Sequence, residues 1–460
     1  MEINKSRKLK KKVLTSESYS LLWSYFYVFI TILFTARASL ITNSVDFRVN
    51  PIGGFLFLFS LICLVVQDLN NNWNKSYDKY LIVLTIILVW EAIHFRIDGG
   101  IDYVDLYILV VFHTYSCFLI RRLGFTFFRI AENIIAKLSL FSVIMWFITI
   151  VIGPENMAIL SFTEPSAPDT AIGSFILFDI PSIENDNGTG MLRNCGFAWE
   201  PGLFSCILCI GIAFNLILHR GQFNHNMLFL ILGLLSSVST TGYVTAFVIF
   251  TYYYTSSVKN MFKILVLAIF IPIAIYSYTN FEFIGEKIVL NSDEDEYITN
   301  DMSHFSYKED QGETYTPQRF ECIQLQALNF IDSPIFGYGH VSNSFVHKRI
   351  SSMISLSTGI LTDFAKFGFI LGFLFTLTYC YSFYYICRRA KCPRFLLLIV
   401  YLLISFSYSF IMVPFTLCIT MFAVYHIPPK KILLYKRMKQ KRRRIIVNQT
   451  QKLQMSSGNI

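Results

Sequence analysis

The feature that most constrains this chain is a series of long apolar stretches. The hydrocarbon core of a bilayer, roughly 30 Å thick, needs about 20 apolar residues per helix, and helices satisfy their own backbone groups in lipid. Hydrophobic residues make up 54% of the 460 residues and charged residues 15%, so the sequence predicts an all-α polytopic integral membrane protein. About 12 transmembrane helices are expected, with short ones at 226–240 and 413–427; the stretches are 19–36, 51–66, 80–95, 103–120, 134–152, 201–218, 226–240, 242–257, 264–280, 364–387, 395–412 and 413–427.

The distribution of basic residues predicts the orientation of these helices. Of the 39 lysines and arginines, 29 fall in the N-terminal arm, in the tail from Lys430 and in every second connecting segment. Because short loops rich in Lys and Arg stay on the cytoplasmic side, both termini are predicted to be cytoplasmic. The net charge of +9 then reflects topology and attraction to anionic headgroups, and it predicts no nucleic-acid partner.

This topology divides the chain into seven segments, two of which are long external loops. In order they are a basic cytoplasmic arm (1–18), helices one to five (19–152), an external loop (153–200), helices six to nine (201–280), a large external loop (281–363) with a short helix at about 317–331, helices ten to twelve (364–427) and a basic cytoplasmic tail (428–460).

The first external loop ends in a charged motif that runs into an apolar stretch. It reads Arg193-Asn194-Cys195-Gly196-Phe197-Ala198-Trp199-Glu200-Pro201-Gly202. Charges at the lip of a membrane helix are costly unless they are paired, solvated or used, so they are functional candidates. The alternative is a salt bridge between Arg193 and Glu200 that only caps the helix.

The second external loop contains a predicted helix followed by a glycine-rich turn. Thr316 and Pro317 are suited to the N-cap and first helical positions. Arg319 then lies in the first turn, where a cation opposes the helix dipole and an anionic ligand would explain it. In Gly337-Tyr338-Gly339 the glycines allow a tight turn that approaches a ligand closely.

These residues together predict an anion site at the outer membrane boundary. The planar forks of Arg193 and Arg319, with Arg349 beside them, suit bidentate contact with phosphate oxygens. Apolar surroundings raise the pKa of a carboxyl group, so Glu200 is the predicted general base. No His, Cys and Asp spacing is typical of a catalytic metal, and the sequence predicts neither metal nor cofactor.

The same segments resemble those of the bacterial O-antigen and capsule repeat-unit polymerases (Wzy type), within the O-antigen ligase and polymerase superfamily. The resemblance rests on Arg193 with Glu200-Pro201-Gly202, on Ser239-Thr240-Thr241-Gly242-Tyr243, and on Arg319 with Gly337-Tyr338-Gly339. It implies a glycosyltransferase that polymerises undecaprenyl-pyrophosphate-linked oligosaccharide repeats into O-antigen or capsular polysaccharide. In this picture Arg193 and Arg319 bind the donor pyrophosphate, and Glu200, or failing that His340 or His347, is the base. The implied location is the bacterial cytoplasmic (inner) membrane, with the active site facing the periplasm or exterior.

The resemblance also implies partners and leaves two alternatives open. The partners are the lipid-linked glycans, the bilayer and a separate chain-length regulator. An O-antigen ligase, which transfers the polysaccharide to lipid A-core, would depend on a histidine more than on Glu200. A flippase or transporter would show internal repeats, broken helices and charges near the bilayer midplane, and the sequence has no repeat between its halves.

Several other polar residues have simpler interpretations. Asp363 and Lys366 are spaced to pair on one helical turn, and Glu91 and Asp105 mark the outer ends of two spans near His94. Cys195 and Cys322 both fall in the external loops, where a disulfide between them is one alternative and unrelated free thiols the other.

Overall fold

A computed structural model describes the chain over residues 20–37, 50–72, 77–98, 103–161, 171–175, 177–182, 192–257, 319–350, 354, 356, 359–408 and 412–426. Most of these residues are helical. In chain order the helices are α1 Ser20–Ala36, α2 Pro51–Asn72, α3 Asp78–Asp98, α4 Tyr103–Leu123, α5 Thr126–Ile152, α6 Pro154–Ala158, α7 Pro201–His219, α8 His225–Ser236, α9 Thr240–Ser257, α10 Arg319–Asp332, α11 Phe345–Arg349, α12 Gly359–Ala390, α13 Leu396–Ser405, α14 Pro414–Thr420 and α15 Phe422–Tyr425.

Five of the described helices are long and apolar enough to cross a membrane. They lie at Pro51–Asn70, Asp105–Leu123, Thr126–Ile152, Pro201–His219 and Leu361–Ala390, and α1, α8 and α13 are shorter apolar helices. The prediction of a helical membrane protein is thereby confirmed at this level. The count of twelve spans and the sidedness stay predictions, because 264–280 lies outside the described residues and the stretches at 395–412 and 413–427 form helices of ten residues or fewer.

The centre of the fold is α7, which is almost completely buried. Small residues let its neighbours approach closely, as is usual between helices in membranes. A Cβ added at Gly242 of α9 would lie 2.5 Å from the Cβ of Ser205 on α7. Aromatic side chains fill the remaining space, and Phe214 of α7 meets Phe128 of α5 edge to face at 5.0 Å between ring centroids.

A buried polar network joins α5, α7 and α8 at one end of the bundle. The Glu132 carboxylate accepts hydrogen bonds from Asn215 at 2.7 Å and from Asn226 at 3.0 Å. Asn224 caps α8 by accepting from the Met227 backbone N–H at 2.9 Å. Buried polar groups need such partners, so this network specifies how the three helices align.

The segment between α5 and α7, predicted as a loop, contains regular structure. After α6, strands β1 (Ala171–Phe175) and β2 (Phe178–Pro181) pair antiparallel, with Ser174 opposite Asp179 and a register irregularity after Ala171. Phe178 and Ile180 are fully buried against Met157 and the side chains of α5. The fold is therefore not purely helical, because this apolar pair is buried by a hairpin that folds back onto α5.

The long helix α12 is interrupted, whereas the sequence predicts one continuous span over 364–387. Gly368 has φ 70° and ψ 180°, which are not helical values. The N–H groups of Phe369 and Ile370 donate to the carbonyls of Pro334 and Ile335 at 2.8 and 3.5 Å. A neighbouring loop therefore takes over hydrogen bonds that the helix would otherwise make within itself.

The loop also donates to the carbonyl groups that the interruption leaves free. Tyr338 N–H donates to Ala365 O at 3.0 Å, and Gly339 N–H donates to Lys366 O at 3.1 Å. In an intact helix these two carbonyls would accept from residues 369 and 370. Unpaired backbone groups are costly away from water. The loop Pro334–Gly339 therefore stabilises the break in α12, and the break supplies hydrogen-bond partners for the loop.

Candidate functional site

The segment that carries Arg193 is held in place by its backbone. Asn194 N–H donates to Ser236 O at 3.0 Å, and the Asn194 side chain donates to Ser236 Oγ at 2.8 Å. Asn194 Oδ1 in turn accepts from the Gly196 N–H at 2.8 Å. Trp199 N–H donates to Ala36 O at 3.2 Å, which ties the segment to the end of α1. The segment that follows Arg193 is thus hydrogen-bonded both to the end of α8 and to the end of α1.

Arg193 and Glu200 lie in one partly buried cluster at the start of α7. Burial lowers the pKa of the Arg193 guanidinium, while the fields of Cys195, Tyr408, Glu200 and Tyr243 act in the opposite direction. Glu200 is the N-cap residue of α7 with Pro201 after it, and its side chain does not cap the helix. The carboxylate therefore lies beside the positive end of a helix dipole without capping that helix.

Tyr408, which follows α13, also lies in this cluster and contacts the start of α7. A Cβ at Gly202 would overlap its hydroxyl group, so only glycine lets α7 begin so close to this tyrosine. The neighbouring Ser407 hydroxyl lies 3.2 Å from Thr241 Oγ1. The contact brings the Ser239–Tyr243 element and residues 407–408 to the same place as the Arg193 motif.

A second carboxyl group, which the sequence did not single out, lies behind this cluster. Asp179 is fully buried on β2, accepts from Ser174 Oγ at 2.5 Å, and donates its backbone N–H to Gly196 O at 3.0 Å. Burial raises its pKa to about 8, against the opposing effect of the Ser174 hydrogen bond. Asp179 also raises the pKa of Cys195, after the larger effect of burial. The β1–β2 hairpin places Asp179 beside the Arg193 segment.

The Ser239–Tyr243 element begins α9 and contacts α7 directly. Ser205 Oγ donates to Ser239 Oγ at 2.9 Å, and Ser239 Oγ also accepts from the Gly242 N–H at 3.3 Å. The preceding residue, Val238, has φ 44°, a left-handed value that is a true outlier for a β-branched side chain. Such strain is often found next to functional sites.

His340 lies in a different, buried ionic cluster. Its Nε2 is 3.1 Å from Glu91 Oε1 and its Nδ1 is 3.7 Å from Asp105 Oδ2. These approaches are ion-pair distances without hydrogen-bond geometry. Lys366 Nζ lies 2.7 Å from the same Asp105 oxygen. Lys366 therefore pairs with Asp105 of α4 rather than with Asp363, and the predicted pairing is wrong.

The other contacts of this cluster anchor the glycine-rich loop to α3. Trp90 Nε1 and His94 Nε2 both lie 3.1 Å from Phe336 O. A carbonyl oxygen only accepts, so we assign a proton to Nε2 of His94. A Cβ at Gly339 would lie 2.5 Å from His94 Nδ1.

The two glycines around Tyr338 serve this packing. Gly337 has φ 78° and Gly339 has φ 68°, which are left-handed values that favour glycine. The close approach predicted for a ligand is made here to the backbone of α12 and to His94. Tyr338 itself is buried.

The remaining predicted arginines occupy other positions. Arg319 begins α10, and its side chain lies outside the described residues. Arg349 ends the short helix α11, is exposed, and lies over the Phe345 ring at 5.3 Å. His340 contacts Glu91 and Asp105 rather than Glu200, so the two predicted catalytic residues belong to separate clusters.

Cys195 and Cys322 are both buried free thiols. The disulfide considered from the sequence is therefore absent from the structure. Each thiol packs within its own element, and in such positions a cysteine behaves as a small apolar side chain.

The residues that the sequence missed are those that a single motif cannot connect. Glu91 and Asp105 were interpreted as interfacial charges, and nothing in their spacing indicates a shared histidine. Tyr408 lies far from Arg193 in the chain, and only tertiary packing brings it close. Asp179 lies 14 residues before Arg193, but its contact with the Arg193 segment depends on the β1–β2 hairpin. One available signal was the repeated placement of acidic residues near the predicted ends of α3 and α4.

The fold and these clusters define a helical membrane protein with buried polar groups at the start of its most buried helix. No protein-family model, curated protein or solved structure matches the chain. The resemblance to repeat-unit polymerases therefore rests on the three quoted segments.

Proposed function

We propose that this protein is a membrane glycosyltransferase that polymerises undecaprenyl-pyrophosphate-linked oligosaccharide repeats on the external face of the cytoplasmic membrane. The observation that carries the proposal is the cluster of Arg193 and Glu200 at the start of α7. The two side chains are close enough for the Glu200 charge to act on the Arg193 guanidinium. The Glu200 side chain does not cap α7.

The proposed reaction needs one base and one anion-binding group. Glu200 takes the proton from a hydroxyl at the non-reducing end of the acceptor repeat. The hydroxyl oxygen attacks the anomeric carbon of the donor, and the bond from that carbon to the pyrophosphate oxygen breaks. The pyrophosphate leaves with the bonding electron pair, and Arg193 offsets its charge by paired hydrogen bonds. The positive end of α7 adds to this stabilisation.

Partial burial increases the effect of each charge. Interactions between charges are stronger where water is excluded, and Arg193 is buried enough to lower the pKa of its guanidinium. Tyr408 adds a hydroxyl group to the same cluster, which is suited to contact sugar or phosphate oxygens. The Tyr243 hydroxyl instead donates to Leu235 O at 2.7 Å. Arg319 and Arg349 are retained as predicted phosphate ligands from the second loop.

Glu200 is favoured over His340 as the base because the His340 ring is buried. His340 is only 4% exposed and lies between two carboxylates and the loop that covers α12. A substrate hydroxyl would have to displace this packing to reach its ring. For the same reason the ligase alternative, which depends on a histidine, has less support from this residue.

A transporter is the second candidate, and one observation favours it. Broken helices and buried charges are typical of transporter binding sites, and α12 is interrupted next to Lys366, Asp105 and His340. At the break, however, loop residues donate to and accept from the backbone groups that would otherwise coordinate an ion. Because these backbone groups already have hydrogen-bond partners, the break offers little support for transport.

The test compares glycans made by a strain that lacks this protein and carries the wild type, Glu200→Gln or Arg193→Gln. Glu155→Gln and Arg96→Gln are matched controls, because both residues are exposed and lie outside the cluster. Membrane levels of each variant are measured, and lipid-linked and surface glycans are resolved by gel. We expect normal ladders from the controls and single repeats from the two cluster variants.

Each other result points to a different function. Full-length ladders that stay on the lipid carrier would assign a ligase. Repeats that accumulate on the cytoplasmic side, inaccessible to an external glycosidase in intact cells, would assign a flippase. A normal surface ladder from both cluster variants would reduce Arg193 and Glu200 to a structural role.

A further inference from the structure

Two cavities share Ile335 and Phe336 as lining residues and lie away from the Arg193 cluster. One has a volume of about 350 Å³ and is bordered by His94, residues 332–338, Asn343 and Lys348. The other has a volume of about 220 Å³ and lies between α3 and the part of α12 around its break. Ile335 and Phe336 line both cavities, so the two cavities are adjacent.

The smaller cavity is an apolar groove along two helices. Its walls are Ile86, Val89 and Ile93 of α3, together with Phe367, Ile370 and Leu371 of α12. At 1.5 Å per helical residue, the eight steps from Thr85 to Ile93 give it a length of roughly 12 Å. Val89 and Ile370 are more than half exposed, which places the groove on the outer surface of the bundle. In a membrane protein such a surface is covered by hydrocarbon.

The larger cavity contains charges of both signs. Lys348 and Asp332 are both exposed, and among the described residues neither has an ion-pair partner. Ser333 and Asn343 add neutral hydrogen-bonding groups. A headgroup with one positive and one negative charge is complementary to this lining, whereas a purely anionic headgroup would meet the Asp332 carboxylate.

We propose that the two cavities bind one zwitterionic phospholipid with a phosphoethanolamine headgroup. An acyl chain lies in the groove between α3 and α12, and the headgroup occupies the larger cavity. Lys348 contacts the phosphate and Asp332 contacts the primary ammonium. Charge-assisted hydrogen bonds of this kind need N–H donors, which an ethanolamine ammonium has and a choline headgroup lacks.

Such a lipid would brace the loop Pro334–Gly339 against the break in α12. Ile335 and Phe336 are exposed on one side, while their carbonyls accept from Ile370 N–H and from Trp90 Nε1. A lipid against these side chains keeps water from the backbone bonds of the junction. This site is independent of the proposed glycosyl transfer.

The test is native mass spectrometry of the full chain, purified in detergent and supplied with equal amounts of phosphatidylethanolamine, phosphatidylglycerol, phosphatidylcholine and a polyprenyl phosphate. We expect one retained phosphatidylethanolamine per chain, at about threefold or more over each other lipid, which is the size of a partly exposed ion-pair effect. Lys348→Glu removes this preference, and Asp332→Asn lowers the ratio of ethanolamine to choline lipid.

Arg129→Glu is the matched control, because Arg129 is exposed on α5 and lines neither cavity. It should retain the ethanolamine lipid. Thermal unfolding of each variant separates lost binding from lost folding, and the wild-type competition requires no variant. Equal retention of all four lipids, preferential retention of the polyprenyl phosphate, or unchanged binding by folded Lys348→Glu would each overturn the proposal.

Discussion

Gly337 and Gly368 approach so closely that each excludes a side chain on the other. A Cβ on Gly337 would lie 2.5 Å from the backbone nitrogen of Gly368, and a Cβ on Gly368 would lie 2.5 Å from that of Gly337. Both residues have left-handed φ values. This pair lets the loop enter the hydrogen-bond ladder of α12, and it brings Lys366 and His340 to one ionic cluster.

Gly368→Ala should therefore destabilise the protein. At φ 70° and ψ 180° Gly368 lies in a backbone region that is essentially restricted to glycine and costs an L-residue about 1–3 kcal/mol. Overlap with the loop adds to that cost. Gly372→Ala is the control, since Gly372 lies one turn further along α12 and its nearest neighbour atom would be a Phe364 ring carbon at 3.1 Å. Thermal unfolding in detergent measures both. A smaller loss in Gly368→Ala than in Gly372→Ala would refute the interlock.

Removing the Lys366 charge should weaken the contact between α4 and α12. In Lys366→Met, Asp105 loses a partner at 2.7 Å and remains near Glu91 and His340. We expect a loss of about 1–3 kcal/mol in unfolding free energy. Lys137→Met, at an exposed position on α5, should change little. A double variant with Asp105→Asn should recover part of the loss, and strict additivity would contradict the pairing.

Asp179 should make stability depend on pH. Its pKa is raised by burial from an ordinary 3.8 to about 8, so between these values the folded protein retains a proton that the unfolded chain has lost. Stability is full below about pH 4, falls by at most about 1.4 kcal/mol per pH unit, and levels off above pH 8. The unfolding temperature in detergent should fall from pH 5 to pH 8 more steeply in the wild type than in Asp179→Asn. Parallel slopes would show that Asp179 is ionised throughout.

Glu132 should be the most sensitive acidic residue at the α5, α7 and α8 junction. Glu132→Ala leaves the buried Asn215 amide and the half-buried Asn226 amide without their acceptor, which costs about 1–3 kcal/mol for each unsatisfied group. Glu132→Gln keeps one acceptor oxygen and should lose less. Glu155→Gln, exposed on α6, is the control. Equal unfolding temperatures for Glu132→Ala and the control would count against the network.

Cys195 and Cys322 should resist alkylation in the folded protein whether or not reductant is present. Both thiols are buried and free, and burial raises the pKa of Cys195 far above its usual range, which keeps it as the unreactive thiol. After denaturation both should be labelled equally with and without reductant. Peptide mass spectrometry after alkylation gives the result, and labelling that requires reductant would indicate a disulfide.

The local part of the candidate site was readable from the chain. Arg193 and Glu200 are seven residues apart, and Pro201 marks the start of a helix in the sequence as in the structure. The helix predicted at about 317–331 overlaps α10, which ends at Asp332. These features depend on short-range rules of capping and hydropathy, which need no knowledge of distant residues.

The sequence by itself determined that this is a helical membrane protein, since long apolar stretches have few other stable arrangements in lipid. Only the tertiary structure decided that Lys366 pairs with Asp105, that His340 is buried beside Glu91, and that Asp179 lies behind the Arg193 turn. Each of these depends on a departure from regular structure, either the break at Gly368 or the hairpin over α5. Hydropathy does not report such departures, because backbone groups freed in one segment are satisfied by another segment far away in the chain.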